Sequence, residues 1–544
     1  MPSLALTPLL LVVLLFGGAK SLLLPGGVKP MLLIAQASSF HKSVHRISQL
    51  PNRHTAVAAV AHDASTEFAG SRALAHAVLL KVHKNGAFAN LALNALLAKS
   101  GTSFSGGSFA TELVYGVLRN RASLDHFLGQ LTNLNRTDVS TLTALRIGAY
   151  ELLHLETADY AAVNEAVSLV PSGPRRRFAN AVLRSLSRRR ASLIDPPSLW
   201  LRYSLPEWLL RQLRASLLRT DAELGAWAAS QQETPKIGLR VNTLRARPED
   251  VKEAFSARGL VLEGTPIHGA FHLAGGGGNV AKLPGFKEGN WTVQDVAAQL
   301  VGVLASPSRG QTVLELCAAP GGKSTHLAEL MGDDGRVISV EVHAKKAQLV
   351  RDACSRLGIQ SVAVHAADAT DVQTLKALLA SSALTQAKMD TCSGGEQDPP
   401  ASSDTSLADI VVLDAPCSGM GTLRRNPEHR YQDDSRLAEL TKLQDRLLDA
   451  GAACVRPGGS LVYSVCSPLA VEGCERVAAV LHRHPEFECP EVTHRELVIY
   501  AASSTLLGGT NRCIQSWTHR HGGCDSFFAA RLVRREGTAP VPGG

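Results

Sequence analysis

Acidic residues are missing from the first 62 of 544 positions, while Lys20, Lys29, Lys42, Arg46 and Arg53 stand there among several serines. An acid-poor, basic, serine-containing opening has the composition of an organellar transit segment. It follows an apolar run over 9–16, too short to cross a bilayer as a helix. Small residues at Gly17-Gly18-Ala19 flank that run, and Ala37-Ser38-Ser39-Phe40 sits where a second cleavage would fall. Together they point to a bipartite leader over 1–66 for a plastid, with the mitochondrion as the alternative. Cysteine is missing from the first 316 positions; all ten lie from Cys317 onward, and none form a CxxC pair. That excludes a cysteine-dense disulfide scaffold and argues against a zinc site of common spacing, so no metal is expected. No later segment holds 18 uninterrupted apolar residues, so no membrane helix is expected in the mature chain. Gly 46 and Pro 26 are near background, which excludes collagen-like and linker-dominated chains.

What is present is the composition of packed domains: 45% hydrophobic and 19% charged residues, in a length that suits three or four domains of about 150 residues. Net charge is +8, an excess that permits a polyanionic partner without identifying one. From about 68 to 190, apolar residues recur at three and four, as in Ala73, Ala77, Leu80 and again in the pairs Leu142, Leu145 and Tyr150, Leu153. That is the helical period. Breaks are expected at 101–108 and at Pro171-Ser172-Gly173-Pro174. After the second come Arg175, Arg176, Arg177, Arg184, Arg188, Arg189 and Arg190, with no acid interleaved. Either this is a solvated helix face or it is a surface for RNA phosphates, and the missing acids favour the second.

Pro196-Pro197 marks a boundary, and residues 200–300 mix helix with short strands such as Ile237–Val241. From 311 the pattern becomes α/β. Strands are expected at Thr312–Leu316, 337–340, 362–364, 410–413 and 460–463, with helices at 324–331, 345–357 and 437–454. Such alternation implies a mostly parallel sheet covered on both faces. Residues 381–406, rich in Ser, Gly, Asp and Pro, read as a flexible insertion.

The first strand of this set runs into Cys317-Ala318-Ala319-Pro320-Gly321-Gly322-Lys323-Ser324 and then a helix. Small residues let backbone approach a ligand at the carboxyl edge of a sheet. The segment is not a phosphate-binding P-loop, because Cys317 stands where its first glycine belongs. Glu341 ends the second strand, where an acid can accept from two ribose hydroxyls, and Asp368 follows the third, where an acid can take an adenine amine. The ligand so described is a nucleoside without a pyrophosphate. Asp414-Ala415-Pro416-Cys417-Ser418-Gly419 follows the fourth strand and Ser464-Val465-Cys466-Ser467 the fifth, placing two thiols and an acid at the same edge.

The blocks around Cys317–Lys323, Asp414–Gly419 and Cys466 resemble the three signatures of the Sun family of RNA 5-methylcytosine methyltransferases. Glu112-Leu113-Val114-Tyr115-Gly116, Leu145-Arg146-Ile147-Gly148-Ala149-Tyr150, Val163-Asn164-Glu165-Ala166-Val167 and Phe178-Ala179-Asn180-Ala181-Val182 are similar to the NusB-like domain fused to RsmB-type members. Tyr203-Ser204-Leu205-Pro206-Glu207-Trp208, Leu239-Arg240-Val241-Asn242-Thr243 and Val293-Gln294-Asp295-Val296 are similar to its linking region. The resemblance covers about residues 70–535. It implies an all-α NusB-like domain (67–192), a small α+β linking region (193–300) and an α/β Rossmann-like class I methyltransferase domain (301–536), with a disordered tail (537–544). It implies S-adenosylmethionine as cofactor and a cytosine of small-subunit (16S-type) ribosomal RNA, or its precursor particle, as substrate. Cys466 becomes the nucleophile and Cys417 the residue of product release, with Asp414 and Lys323 framing base and methyl group. Arg424 and Arg425 are expected either to hold RNA phosphate or to position the Asp414 loop. Four positions depart from the family pattern: Glu315 for Asp, Val465 for Thr, Gly473 for Asn and Ser526 for Gly. A monomer is expected. The alternative is an RNA-binding ribosome assembly factor that has lost catalysis, which would need neither cysteine.

Overall fold

The computed structural model describes residues 64–100, 104–275, 278–392 and 405–537. The expected leader up to residue 63, positions 393–404 of the expected insertion and the tail from 538 lie outside these residues.

Six helices form the first layer: α1 (Ala64–Asn85), α2 (Ala89–Ser100), α3 (Phe104–Gly129), α4 (Val139–His154), α5 (Asp159–Ser168) and α6 (Pro174–Arg189). α4 is the axis, buried almost throughout between Thr141 and Leu152. Asp138 caps it, accepting from the Thr141 N–H at 3.1 Å and the Thr141 hydroxyl at 2.7 Å. Around it pack Leu113, Val117, Val163, Val182 and Leu183. Gly148 is required there, since a Cβ would sit 2.9 Å from that of Ala166 and 2.7 Å from a Leu183 methyl. The break expected over 101–108 is shorter than that, because α3 already begins at Phe104. A helix that buries Leu113, Val114, Val117 and Leu118 downstream tolerates two glycines in its first turn.

Three short helices follow: α7 (Leu199–Arg202), α8 (Glu207–Ser216) and α9 (Asp221–Ser230). Then comes an antiparallel sheet of β1 (Ile237–Val241), β2 (Val261–Gly264), β3 (Ala270–Ala274) and β4 (Trp291–Val293), in the order β2-β3-β1-β4. α10 (Pro248–Ser256) lays Phe255 against Trp291 in that small core.

The third layer is a nine-stranded mixed sheet. β5 (Thr312–Leu316), β6 (Arg336–Val340), β7 (Val362–His365), β8 (Ala408–Asp414) and β9 (Val455–Val465) run parallel. β10 (Phe487–Glu488), β11 (Ala501–Ser504), β12 (Gly509–Ser516) and β13 (Phe527–Arg534) add antiparallel pairings, giving β11-β12-β13-β9-β8-β5-β6-β7 with β10 beside β13. The order reverses at β5, which puts a topological switch point at its carboxyl end. On the faces lie α11 (Val296–Ala305), α12 (Gly322–Leu330), α13 (Ala344–Leu357), α14 (Val372–Cys392), α15 (Leu437–Ala452) and α16 (Cys474–Arg483).

Two expected boundaries shift. The one drawn at 300 cuts α11, whose Leu300, Val301 and Leu304 share a core with Val313, Val337 and Val462 of the large sheet. The insertion expected from 381 begins later, since α14 runs to Cys392. Leu375 and Leu379 anchor that helix in the core, and its polar continuation simply extends the turns.

Candidate active site

Parallel strands put their carboxyl ends on one edge, so the loops after β5, β6, β7, β8 and β9 converge there. Main-chain bonds join them: Ala318 N–H to Val340 O (3.0 Å), Ala415 N–H to Ser464 O (2.9 Å) and Gly421 N–H to Cys466 O (3.0 Å). Cys317 turns the first loop with φ of 61°, a left-handed conformation that costs a non-glycine residue on the order of 1 kcal/mol. Gly321 (φ 99°) ends it, and a Cβ there would stand 3.0 Å from the Val350 Cα.

This edge fits the nucleoside end of S-adenosylmethionine. Glu341 is buried, and one of its oxygens accepts from the His343 N–H at 3.0 Å. One Asp368 oxygen accepts from the Thr370 N–H and hydroxyl at 2.9 and 2.8 Å. The other oxygen of each carboxylate accepts no hydrogen bond among the described residues, leaving it for hydroxyl or amine donors. The first turn of α12 adds N–H groups without intrahelical partners.

Next to this cradle lies the reactive cluster. Cys417 Sγ and Cys466 Sγ are 3.3 Å apart. Lys323 Nζ is 2.6 Å from Asp414 Oδ2, and the Ser464 hydroxyl donates to Asp414 Oδ1 at 2.9 Å. Burial works against the Lys323 ammonium, but Asp414, then Cys466 and Glu315, hold its pKa above the ordinary value. The bond with Cys466, burial and the Glu472 charge push the Cys417 thiol well up. Burial, with Asp414 and Glu341 nearby, pushes Cys317 up to about 12, which makes it a poor nucleophile at neutral pH. Below the loop, Glu315 accepts from the Ser324 and Ser339 hydroxyls at 2.5 and 2.8 Å on one oxygen. Its other oxygen is buried with no partner, and burial raises its pKa to about 7.

The candidate residues therefore divide. Cys317 to Lys323, Glu341, Asp368, Asp414, Cys417 and Cys466 share one edge. Arg175, Arg176, Arg177, Arg184, Arg188, Arg189 and Arg190 lie on and just after α6, all exposed. Acids from other helices reach two of them: Asp138 lies 3.6 Å from Arg175 and Asp159 3.3 Å from Arg190. Arg424 and Arg425 are a correction to the phosphate-binding expectation. Arg424 is 1% exposed and bonds to Asp525 (3.0 Å) and Gly523 O (2.6 Å). Arg425 spans Asp525 (2.7 Å) and Asp295 (2.6 Å). Arg424 is buried away from any phosphate, and the charges of both arginines are already met by two aspartates. The two arginines hold the end of the Asp414 loop, the other role expected of them.

Residues given no role from the sequence also support the site. Glu472 accepts from the Ser418 N–H (2.8 Å), the Ser418 hydroxyl (2.6 Å) and Gln444 Nε2 (3.2 Å), fixing the residue after Cys417. Arg240 on β1 pairs in fork fashion with Glu329 of α12 (2.9 and 2.7 Å) and donates to Gly322 O (2.6 Å). Its place in a family-like block was the only signal, because these two partners lie 89 and 82 residues away. The departures have local reasons. Val465 is fully buried in the apolar core. Gly473 leaves room for Phe528, whose Cγ would be 2.9 Å from a Cβ. Ser526 accepts from Trp227 Nε1 at 3.1 Å.

The comparison with known proteins agrees with this geometry. A family model described as 16S rRNA methyltransferase RsmB/F matches residues 302–533, and a NusB family model matches 69–188. A probable ribosomal RNA small subunit methyltransferase B of Synechocystis sp. is 31% identical over 432 residues, 77% of this chain and 90% of the relative. The chain belongs to this methyltransferase family. A Bacillus subtilis member, also called a probable ribosomal RNA small subunit methyltransferase B, is 32% identical over 77% of this chain and 89% of its own. The crystal structure of PH0851 superposes with a TM-score of 0.67 at 25% identity, covering 86% of this chain and 98% of that one. The family thus assigns the chain to methyl transfer with S-adenosylmethionine as cofactor, on a NusB-like helical domain followed by an α/β methyltransferase domain. Among the described residues no cluster of His, Cys, Asp and Glu could hold a metal, and no helix is long and apolar enough to cross a membrane.

Proposed function

We propose that this protein methylates C5 of a cytosine in small-subunit ribosomal RNA through a covalent Cys466–C6 adduct. The observation that carries this reading is the pair of thiols 3.3 Å apart beside the Lys323–Asp414 ion pair. Cytosine C5 is a weak nucleophile. Addition of the Cys466 thiolate to C6 makes it enamine-like, and Asp414 accepts from the exocyclic amine and, when protonated, donates to N3. When bound, S-adenosylmethionine supplies an electrophilic sulfonium methyl, held by the Cys317–Lys323 loop, Glu341 and Asp368. C5 takes the methyl group as the sulfonium's S–CH3 bond breaks, its electron pair returning to sulfur to leave S-adenosylhomocysteine. Cys417, as thiolate, then removes the C5 proton, the C5=C6 double bond re-forms, and Cys466 leaves as thiolate. Before the reaction the Cys466 sulfur 3.3 Å away and burial oppose charge on Cys417. Once Cys466 is bonded to C6 its charge is gone, and ionisation of Cys417 becomes easier. The base must leave its stack to be reached by a thiol and a methyl group together. The exposed arginines of α6 supply phosphate contacts for the RNA, the protein acts as a monomer, and residues 1–66 deliver it to the plastid.

Bisulfite sequencing of organellar and cytosolic ribosomal RNA, from cells with and without the protein, tests the reading. The expected result is loss of one protected cytosine in an organellar small-subunit RNA, restored by the wild type and not by Cys466→Ala. Activity retained in Cys466→Ala overturns the mechanism, and a changed cytosolic site overturns the plastid assignment. Ribosome-precursor binding with no methyl incorporation by the wild type would favour the catalytically silent assembly factor.

A further inference from the structure

The loop that carries Cys417 continues into 423–432, and that segment is gripped by all three parts of the protein. Arg430 is 2% exposed. Its guanidinium donates to Arg119 O of α3 (3.0 Å), Tyr203 O (2.9 Å), Gln231 O (2.5 Å) and Leu423 O (3.4 Å). All of these acceptors are main-chain carbonyls and none is a carboxylate. Leaving any of them unmet in a buried site is costly, so the guanidinium fixes three separate chain segments at once. Tyr431 adds to the grip: its hydroxyl donates to Leu118 O, and the Arg121 guanidinium lies 3.5 Å from its ring centroid. Glu428 accepts from the Ala89 N–H at the start of α2 (3.2 Å).

The segment is short and tightly wound back to the thiol. Thr422 N–H bonds to Gly419 O and Arg425 N–H to Thr422 O. Met420 and Leu423 are buried among Leu205, Leu209, Leu213 and Trp227 of the linking region. His429 fills the space over Gly419, where a Cβ would meet its Nδ1 at 2.8 Å. A shift of the helical domain relative to the sheet would thus be felt at Cys417. Cys466 follows β9, which is held between β8 and β13, and it meets this loop through the Gly421 N–H on its carbonyl.

We propose that Arg430 is a positioning residue for product release, through which the NusB-like domain sets the place of Cys417 opposite Cys466. The inference rests on the cytosine-C5 reading above. The geometry makes the helical domain part of the catalytic architecture as well as a handle for RNA. Addition and methyl transfer need Cys466, Asp414 and Lys323, none of which Arg430 touches. Asp414 begins the same loop but is held at its own end by Lys323 and Ser464, so displacement of the 417–423 turn falls chiefly on the proton removal that expels Cys466. A displaced Cys417 therefore stalls the reaction after methyl transfer, with RNA still bonded to Cys466.

The test is to incubate Arg430→Lys and Tyr431→Phe with S-adenosylmethionine and a small-subunit ribosomal RNA transcript, beside Cys417→Ala and Cys466→Ala. Read out kcat, KM and SDS-stable protein–RNA adduct. Lys keeps the charge but cannot span the carbonyls, and Tyr431→Phe loses a single bond should Arg430→Lys fail to fold. The expected result is a fall in kcat between about tenfold and about a hundredfold for Arg430→Lys, with KM for RNA within about twofold. Adduct should accumulate as in Cys417→Ala, with the same direction and smaller size in Tyr431→Phe. Adduct in Cys417→Ala but in neither grip variant overturns the role of Arg430 alone. No adduct in Cys417→Ala overturns the assignment of Cys417 to release, and this proposal with it.

Discussion

Glu315 sits beneath the Cys317–Lys323 loop with two hydroxyl donors on one oxygen and, among the described residues, none on the other. Burial raises its pKa from 4.5 to about 7, so the fold favours the protonated acid. Its stabilising contribution is complete below about pH 4.5 and is lost as pH rises through about 7, a span on the order of 3 kcal/mol. Thermal unfolding of wild type and Glu315→Gln should therefore diverge with pH. The wild type loses melting temperature relative to the variant between about pH 4.5 and 8, over a constant offset from the added amide. Parallel curves would mean that Glu315 does not titrate in that window. The sequence shows Glu315 only as a longer acid in place of Asp. That its second oxygen faces no donor depends on Ser324 and Ser339, brought beside it by helix and sheet. Gly473 is similar: its reason is the ring of Phe528, which only strand pairing delivers.

The two arginine groups make opposite predictions, one for helix α6 and one for the loop after β8. Arg177, Arg188 and Arg189 have exposed side chains on α6. Changing all three to Ala should weaken binding to ribosomal RNA and flatten the dependence of log affinity on log salt by about two units. Thermal stability should barely change. Arg425→Met should leave that slope unchanged, while costing about 3–5 kcal/mol of stability, because Asp295 is left buried without an ion-pair partner and Asp525 keeps Arg424 alone. Fluorescence anisotropy over a salt series, with a melting curve for each variant, separates the two. In sequence both groups are runs of arginine. Helix α6 has its apolar residues, Ala179, Val182, Leu183 and Leu186, on one side, so its exposed face was legible from periodicity. Arg424 and Arg425 sit in an irregular loop whose partners come from positions 295 and 525, and no local pattern announces them.

At the scale of the molecule, the linking sheet is bolted to α12 by Arg240. Its fork on Glu329 is buried on both sides, at 3% and 4% side-chain exposure. Arg240→Met strands a buried carboxylate and frees the start of α12. We expect a loss of about 3–5 kcal/mol in stability, with weaker S-adenosylmethionine binding by calorimetry. Unchanged cofactor affinity would show that the fork is structural only. The strand and helix order, the three parts of the chain, and the residues at the carboxyl edge were determined by the sequence itself. Hydrophobic periodicity is local, and strand-end motifs acquire their position as soon as the strands are parallel. Thr312–Leu316 is the same five residues in sequence pattern and structure. The tertiary structure alone decided how the parts are joined: the Cys417–Cys466 approach, the Glu472 and Arg430 grips, the Arg240 fork and the burial of Arg424. Each is a contact between residues tens to hundreds of positions apart, and the energy of a buried polar group lies in its partner, which no window of sequence contains.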